Sequence, residues 1–117
     1  MISVYAYKGC DSCRKALKWL GAHAIPHEVK AIRETPPTRS ELQEALVACG
    51  GDLRRLFNTS GVDYREMGLK DQLSGMSDSE ALALLATHGN LVKRPFLIGG
   101  GRVLVGFKED EWHGALL

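Results

Sequence analysis

Two cysteines separated by two residues, Cys10 and Cys13, carry the most specific chemical signal in this sequence. They follow a short apolar run and open an amphipathic segment, the setting in which Cys-x-x-Cys acts as a redox couple. Cys10 falls at the predicted helix N-terminus, where unpaired backbone N–H groups stabilise a thiolate. Cys13 lies one turn later on the apolar stripe. An exposed attacking thiol beside a sheltered resolving thiol suits thiol–disulfide exchange.

The neighbours of this pair and the third cysteine qualify that interpretation. Lys8 and Arg14 would favour a thiolate at Cys10, whereas Asp11 would oppose one. Two alternatives stay open, half of a zinc site and a pair of inert core cysteines. No second Cys-x-x-Cys or His-x₃-His partner accompanies the pair, so we expect no metal. Cys49 falls on the apolar stripe of a later helix and is interpreted as a small core residue, with a redox role as the alternative.

The elements that must position the cysteines begin with a βαβ unit. Residues 2–7 alternate and are rich in β-branched and aromatic side chains, which predicts a strand. An apolar stripe at helical spacing predicts a helix over residues 11–22, and residues 27–32 form a second strand. Strand, helix and strand within so short a span imply parallel strands joined by a right-handed crossover.

The rest of the chain is predicted to be helical and then to return to the sheet. Capping boxes at Thr38-Arg-Ser-Glu41 and Ser77-Asp-Ser-Glu80 start two helices. A short helix is expected near residues 53–57, and a turn followed by a helical turn at 61–69. Strands at 96–98 and 103–105 form a hairpin across three glycines, and a last helix covers 108–117.

This element order predicts a thioredoxin-like fold. It is an α/β arrangement in which a four-stranded mixed sheet carries helices on its faces and a helical insert separates the second and third strands. We expect one domain over residues 1–117, with a core at about 1–35 and 91–117. The insert covers about 36–90.

Arg94 and Pro95 form the second chemical signal. Pro95 stands directly before the third strand, where a thioredoxin-like fold holds a cis proline that faces the cysteines. A trans proline at the start of an edge strand is the alternative. Arg94 would then lie near Cys10, lowering the pKa of its thiol or binding an anion, unless it is a surface arginine. We therefore expect Cys10 and Cys13 to be catalytic, with a substrate- or anion-binding set of Ser12, Arg14, Arg94 and Pro95.

Composition limits the possible functions further. Hydrophobic residues make up 44% and charged residues 25%, as in ordinary globular domains, and the formal net charge is +1. Such a charge gives no basic field for direct nucleic-acid binding or for an acidic membrane surface. We see no membrane-spanning run and no targeting segment, so we expect a cytoplasmic protein. Three cysteines are too few for a disulfide scaffold.

Four segments of the sequence together resemble one protein family. They are Cys10-Asp-Ser-Cys13-Arg-Lys-Ala16 within residues 5–20, Thr35-Pro-Pro-Thr-Arg-Ser-Glu-Leu42, Tyr64-Arg-Glu-Met-Gly-Leu69, and Lys93-Arg-Pro95 with the later Val105-Gly-Phe-Lys-Glu-Asp-Glu111. On these motifs the chain is similar, over essentially its whole length, to the ArsC/Spx family of arsenate reductase-like proteins. The resemblance implies a thioredoxin-like domain with a helical insert.

Function divides within that family. Resemblance to its glutaredoxin-linked arsenate reductases implies that Cys10 is the one reactive cysteine and that three arginines hold the oxyanion. Only Arg94 matches one of those arginines. Asn58 stands at the first position, and Gly106 lies near the third. Those enzymes also lack a counterpart of Cys13. Because two charge-assisted contacts are missing, arsenate reduction is the third choice.

Two other branches match better. Spx-type regulators carry Cys-x-x-Cys followed by Arg-Lys, as here, and use the pair as a disulfide switch while bound to the RNA polymerase α subunit. YffB-like proteins match in length and look like glutathione-using thiol reductases. The resemblance implies a thiol–disulfide oxidoreductase with no resident cofactor, reduced by glutathione, thioredoxin or glutaredoxin. The alternative is an Spx-like redox-sensing regulator that binds the RNA polymerase α subunit.

Overall fold

A four-stranded mixed sheet forms the centre of the molecule in a computed structural model that describes all residues, 1–117. The strands are β1 (Ile2–Ala6), β2 (His27–Ala31), β3 (Phe96–Gly99) and β4 (Arg102–Val105), in the spatial order β2-β1-β3-β4. β1 and β2 are parallel, and the other two pairings are antiparallel. This confirms the predicted thioredoxin-like sheet, including the βαβ unit.

Six α-helices and three 3₁₀ segments complete the chain. The α-helices are α1 (Asp11–Ala22), α2 (Arg39–Ala48), α3 (Val62–Glu66), α4 (Leu69–Gln72), α5 (Asp78–Thr87) and α6 (Glu109–Leu116). The 3₁₀ segments are Leu53–Leu56, Leu73–Gly75 and Gly89–Leu91. The segment predicted as a turn and one helical turn at residues 61–69 contains α3 and the start of α4. Gly68 lies between these two helices with a φ of +64°, a left-handed conformation that favours glycine.

Glu41 both starts α2 and ties this helix to the sheet. The capping box is present as predicted: the Thr38 hydroxyl accepts from the Glu41 N–H at 3.1 Å, and the Glu41 carboxylate accepts from the Thr38 N–H at 2.9 Å. The same carboxylate oxygen accepts a hydrogen bond from the Tyr5 hydroxyl on β1 at 2.7 Å. Burial and this carboxylate raise the pKa of Tyr5. A local capping signal thus also fixes the position of α2 against β1.

The sheet separates two apolar cores because alternate residues of each strand face opposite sides. On one side, Val4 packs with Cys13 and Trp112 in a cluster formed mainly by β1, α1, β3 and α6. On the other, Tyr5 and Phe96 meet edge to face at 5.9 Å in a larger cluster built largely by the helices between β2 and β3. The buried stripe of α1, which includes Cys13, therefore fixes this helix against the sheet. No helix of the structure combines the length and apolarity that crossing a membrane requires.

Candidate active site

Cys10 occupies the N-cap position of α1, as its place in the sequence predicts. Its backbone is extended, with φ −102° and ψ 120°, and its Sγ accepts a hydrogen bond from the Cys13 backbone N–H at 3.4 Å. The thiol thus takes the place usually held by a Ser, Thr or Asp oxygen at a helix start. Upstream, the Cys10 N–H donates to the Tyr7 carbonyl at 3.0 Å and closes the turn that joins β1 to α1.

The two thiols differ in exposure. Cys10 is partly exposed, whereas only 1% of Cys13 is exposed because it lies on the buried stripe of α1. Both are free thiols in this structure. An outer and an inner sulfur one helical turn apart form the geometry that a stepwise disulfide exchange requires.

Several groups compete to set the pKa of the Cys10 thiol. Partial burial alone would raise this pKa. Hydrogen bonds from the thiol and the backbone N–H of Cys13, the positive charge of Arg94, and the Ser12 backbone N–H together outweigh burial. The pKa of Cys10 is therefore lowered, which favours the reactive thiolate.

The inner thiol shows the opposite behaviour. Burial raises the pKa of Cys13 to about 12, against the lowering effect of the hydrogen bond from the Tyr7 backbone N–H. The hydrogen bond and charge of Cys10 raise this pKa further, and the charge of Arg94 lowers it. Cys13 therefore stays protonated while Cys10 is a free thiolate. Because the Cys10 contribution ends once that sulfur is in a disulfide, deprotonation of Cys13 becomes easier after the first exchange step.

Two guanidinium groups meet at the ring of Tyr7. The Arg94 Cζ lies 5.0 Å from the ring centroid, and the Arg33 Cζ lies 4.8 Å from it, both within cation–π range. The Arg94–Pro95 peptide bond is cis, in agreement with the cis arrangement favoured from the sequence. Pro95 is buried directly before β3, while Arg94 is half-exposed beside the cysteines.

Arg33 and Tyr7 were missed by the sequence analysis. The register of the parallel pair places Ala6 opposite Ala31, so the chain leaves β1 and β2 at the same edge of the sheet. Residues that follow adjacent parallel strands meet at that edge, and this rule is the signal that could have identified them.

A cleft of about 160 Å³ adjoins the two guanidinium groups. Besides Arg33 and Arg94, its walls include Asn58, Asp63 and Asn90. The Asn90 side-chain N–H donates to the Asp63 carboxylate at 3.2 Å. Neither arginine forms an ion pair, so both can bind the carboxylate or another oxyanion of a molecule in this cleft. Asn58 lines the cleft with an amide at the position that matches the first of the three arginines of the arsenate reductases.

The remaining predicted residues are placed differently. Arg14 forms an ion pair with Asp11, so the charges of these two side chains neutralise one another at the surface. Arg14 also donates to the Lys8 carbonyl at 3.0 Å. Ser12 is exposed and acts on Cys10 through its backbone N–H. Cys49 ends α2 and packs against the larger core, on the other side of the sheet from Cys13. Burial raises the pKa of its thiol. No group of three metal-ligating side chains occurs in the structure.

Known proteins resemble this chain both in sequence and in structure. Among curated relatives, the chain is 46% identical to the uncharacterized protein YusI of Bacillus subtilis, over 96% of this chain and 95% of that protein. It is 32% identical to the global transcriptional regulator Spx of Streptococcus pneumoniae, over 95% of this chain and 82% of the regulator.

Among solved structures, a possible arsenate reductase from Streptococcus mutans superposes with a TM-score of 0.88 at 36% identity. The superposition covers 97% of this chain and 98% of that protein. The model of the ArsC family matches residues 5–115, a span that contains the cysteine pair, Arg33 and Arg94. Matches over nearly the whole chain, in both sequence and structure, show that the protein belongs to the ArsC family.

Proposed function

We propose that this protein is a cytoplasmic thiol–disulfide oxidoreductase in which Cys10 attacks and Cys13 resolves. The observation that carries the proposal is the hydrogen bond from the Cys13 N–H to the Cys10 Sγ at the start of α1. It joins a partly exposed thiol of lowered pKa to a buried thiol of raised pKa. Such a difference assigns the two sulfurs to different steps.

In the first step the Cys10 thiolate attacks one sulfur of a substrate disulfide. A new bond forms between Cys10 Sγ and that sulfur, the substrate S–S bond breaks, and the other half leaves as a thiolate that takes a proton from solvent. Arg94 faces this region with an unpaired positive charge. It stabilises the attacking thiolate and can bind an anionic part of the substrate.

In the second step Cys13 loses its proton to solvent and attacks Cys10 Sγ. The Cys10–Cys13 disulfide forms, and the second half of the substrate leaves as a thiolate. The pair has then given two electrons to the substrate. Two molecules of a small thiol such as glutathione, or one dithiol redoxin such as thioredoxin or glutaredoxin, restore both thiols and are oxidised to a disulfide.

The cleft that Arg94 lines favours glutathione as the small-thiol partner. Its two arginines match the α-carboxylate at the γ-glutamyl end of this peptide, and Asp63 matches the ammonium group at the same end. A volume of about 160 Å³ holds one end of such a peptide, while its sulfur lies outside the cleft.

The proposal is tested by turnover of glutathione disulfide with reduced thioredoxin as the reductant and by intact-mass analysis of the trapped protein. Cys10→Ser should abolish turnover, and Cys13→Ser should accumulate a stable glutathione adduct on Cys10. Cys49→Ser is the matched control, because Cys49 lies across the sheet, and it should behave as the wild type. Full turnover by Cys10→Ser would exclude the mechanism.

A second candidate function is redox-dependent binding of the RNA polymerase α subunit. It is favoured by the 32% identity with the transcriptional regulator Spx. The same cysteine chemistry would then change a binding surface rather than turn over a substrate. Affinity for the purified α subunit should differ between the reduced and the oxidised protein. Equal affinity in the two states, or no binding in either, excludes this function.

Arsenate reduction has the weakest support. Of the arginines in the cleft, Arg94 alone matches the arrangement implied by the arsenate reductases, while Asn58 supplies an amide. Arsenate-dependent oxidation of glutathione with glutaredoxin is the direct test. We expect no arsenate-dependent turnover.

A further inference from the structure

A second polar cavity, of about 260 Å³, has neither Cys10 nor Cys13 in its lining. Four cationic side chains line it, and they come from three separate parts of the chain: Arg54 and Arg55 from a 3₁₀ segment, Lys93 from the residues before β3, and Lys108 from the start of α6. Thr59 adds a hydroxyl group, and buried Phe57 lies in the wall. We call this space the basic cavity.

The charges of the basic cavity are unbalanced. Glu111 is its one acidic lining residue, which leaves a net charge of +3 from four cations and one carboxylate. None of the five forms an ion pair, since the structure contains a single salt bridge, between Arg14 and Asp11. A chain with a formal net charge of only +1 therefore concentrates unpaired positive charge in one concave place. Like charges held together favour the binding of an anion.

The framework around these cations is ordered by backbone contacts. The Lys93 N–H donates to the Leu56 carbonyl at 2.8 Å, which joins two walls of the cavity. The Lys93 stem passes so close to Gly106 that a Cβ there would lie 3.2 Å from Lys93 Cε. Lys108 accepts a hydrogen bond at its carbonyl from the Trp112 N–H at 3.0 Å. Positions that are fixed before binding reduce the entropy lost when a ligand binds.

The basic cavity is distinct from the cleft that Arg33 and Arg94 line. Lys93 lines the basic cavity, whereas its neighbour Arg94 lines the cleft. In the same way, Thr59 lines the basic cavity and its neighbour Asn58 lines the cleft. Neighbouring residues in these two segments therefore line two separate spaces.

We propose that the basic cavity binds a polyvalent phosphate-type oxyanion, either as a free inorganic ion or as the phosphate groups of a small metabolite. Guanidinium groups bind such oxyanions with two parallel hydrogen bonds, and the two ammonium groups add point charges. Its volume is below the roughly 300–1,000 Å³ of cavities that enclose a drug-sized ligand, so it accommodates a phosphate or diphosphate group. This binding does not depend on the proposed redox function.

The test is a titration of the full-length protein with sodium pyrophosphate, followed by amide chemical shifts in ¹⁵N-labelled protein. Ionic strength is held constant with NaCl, because salt alone screens exposed charges. We expect saturable shifts at the amides of residues 54, 55, 59, 93 and 108. Parallel titrations with inorganic phosphate and with ADP separate the sources. Tighter binding of ADP than of pyrophosphate assigns a phosphorylated metabolite, and the reverse order assigns the free ion.

Matched variants decide whether the cavity is responsible. Arg55→Gln and Lys108→Gln should each weaken pyrophosphate binding about threefold to tenfold, as expected for loss of one charge-assisted contact at an accessible site. Lys70→Gln removes an exposed lysine of α4 outside the cavity and should leave the affinity unchanged. Cys10→Ser should also bind normally, which separates this proposal from the redox function. Equal affinity for wild type and Arg55→Gln, or shifts no larger than NaCl produces, would overturn the proposal.

Discussion

The backbone N–H of Cys13 donates a hydrogen bond to the Sγ of Cys10 at 3.4 Å, so the buried cysteine stabilises the charge on the exposed one. The same helical turn that orders α1 therefore also sets the reactivity of the pair. Cys10 gains hydrogen-bond donors while it stays partly exposed, and Cys13 is buried in the core. The two cysteines have different roles because Cys10 caps the helix and Cys13 lies on its apolar stripe.

The first prediction concerns the pH dependence of Cys10 alkylation. The thiolate is the reactive form, so the rate of reaction with iodoacetamide rises with pH through the pKa of Cys10. Since this pKa is lowered, the half-maximal rate should occur below the ordinary thiol value of about 8.5. Arg94→Ala removes a positive charge and should move the half-maximum to higher pH. Arg65→Ala, an exposed arginine on α3, is the control and should not move it.

The second prediction separates substrate binding from thiol chemistry at the cleft. Arg33→Ala should raise the KM for glutathione disulfide about threefold to tenfold, because one contact to a carboxylate is lost. The kinetic constants for hydroxyethyl disulfide, which carries no charge, should stay the same. Arg65→Ala again serves as the control. If both substrates are affected equally, Arg33 acts on the fold or on Cys10 and not on a carboxylate.

The sequence was informative where function depends on local order along the chain. Cys10 at the start of α1, Cys13 on its stripe and the proline before β3 follow from spacing and helix capping. The parallel β1–β2 pair follows from the strand–helix–strand unit, and the β3–β4 pair follows from the glycine turn. The meeting of Arg33 and Arg94 at Tyr7 depends on three segments that are distant in sequence. Arg14 shows that closeness in sequence is not enough. It lies four residues after Cys10, but its side chain forms an ion pair with Asp11.

The third prediction concerns the carboxylate that joins α2 to β1. Glu41→Ala removes half of a capping box and the acceptor of the Tyr5 hydroxyl, and should lower the free energy of unfolding by about 1–3 kcal/mol. Glu41→Gln keeps an acceptor oxygen and should lose less. Glu44→Ala, an exposed position of the same helix, should change it by less than about 0.5 kcal/mol. Chemical denaturation measures all three, and similar losses for Glu41→Ala and Glu44→Ala would contradict the assigned contacts.

The fourth prediction uses two glycines on either side of the cysteine pair. An added Cβ at Gly9 would lie 2.6 Å from the Tyr7 ring, so Gly9→Ala must displace the ring on which both arginines rest. We expect it to cost about 1–3 kcal/mol of unfolding free energy and to raise the KM for glutathione disulfide. Gly21 in α1 has nothing within 4 Å of the same added atom.

Gly21→Ala therefore isolates the packing effect. A helical alanine in open space should stabilise the protein by about 0.5–1 kcal/mol and leave the KM for glutathione disulfide unchanged. Thermal unfolding and steady-state kinetics of the two variants give the comparison. Unchanged kinetics in Gly9→Ala would show that the ring position does not control the cleft, because the substitution changes no residue that lines the cleft.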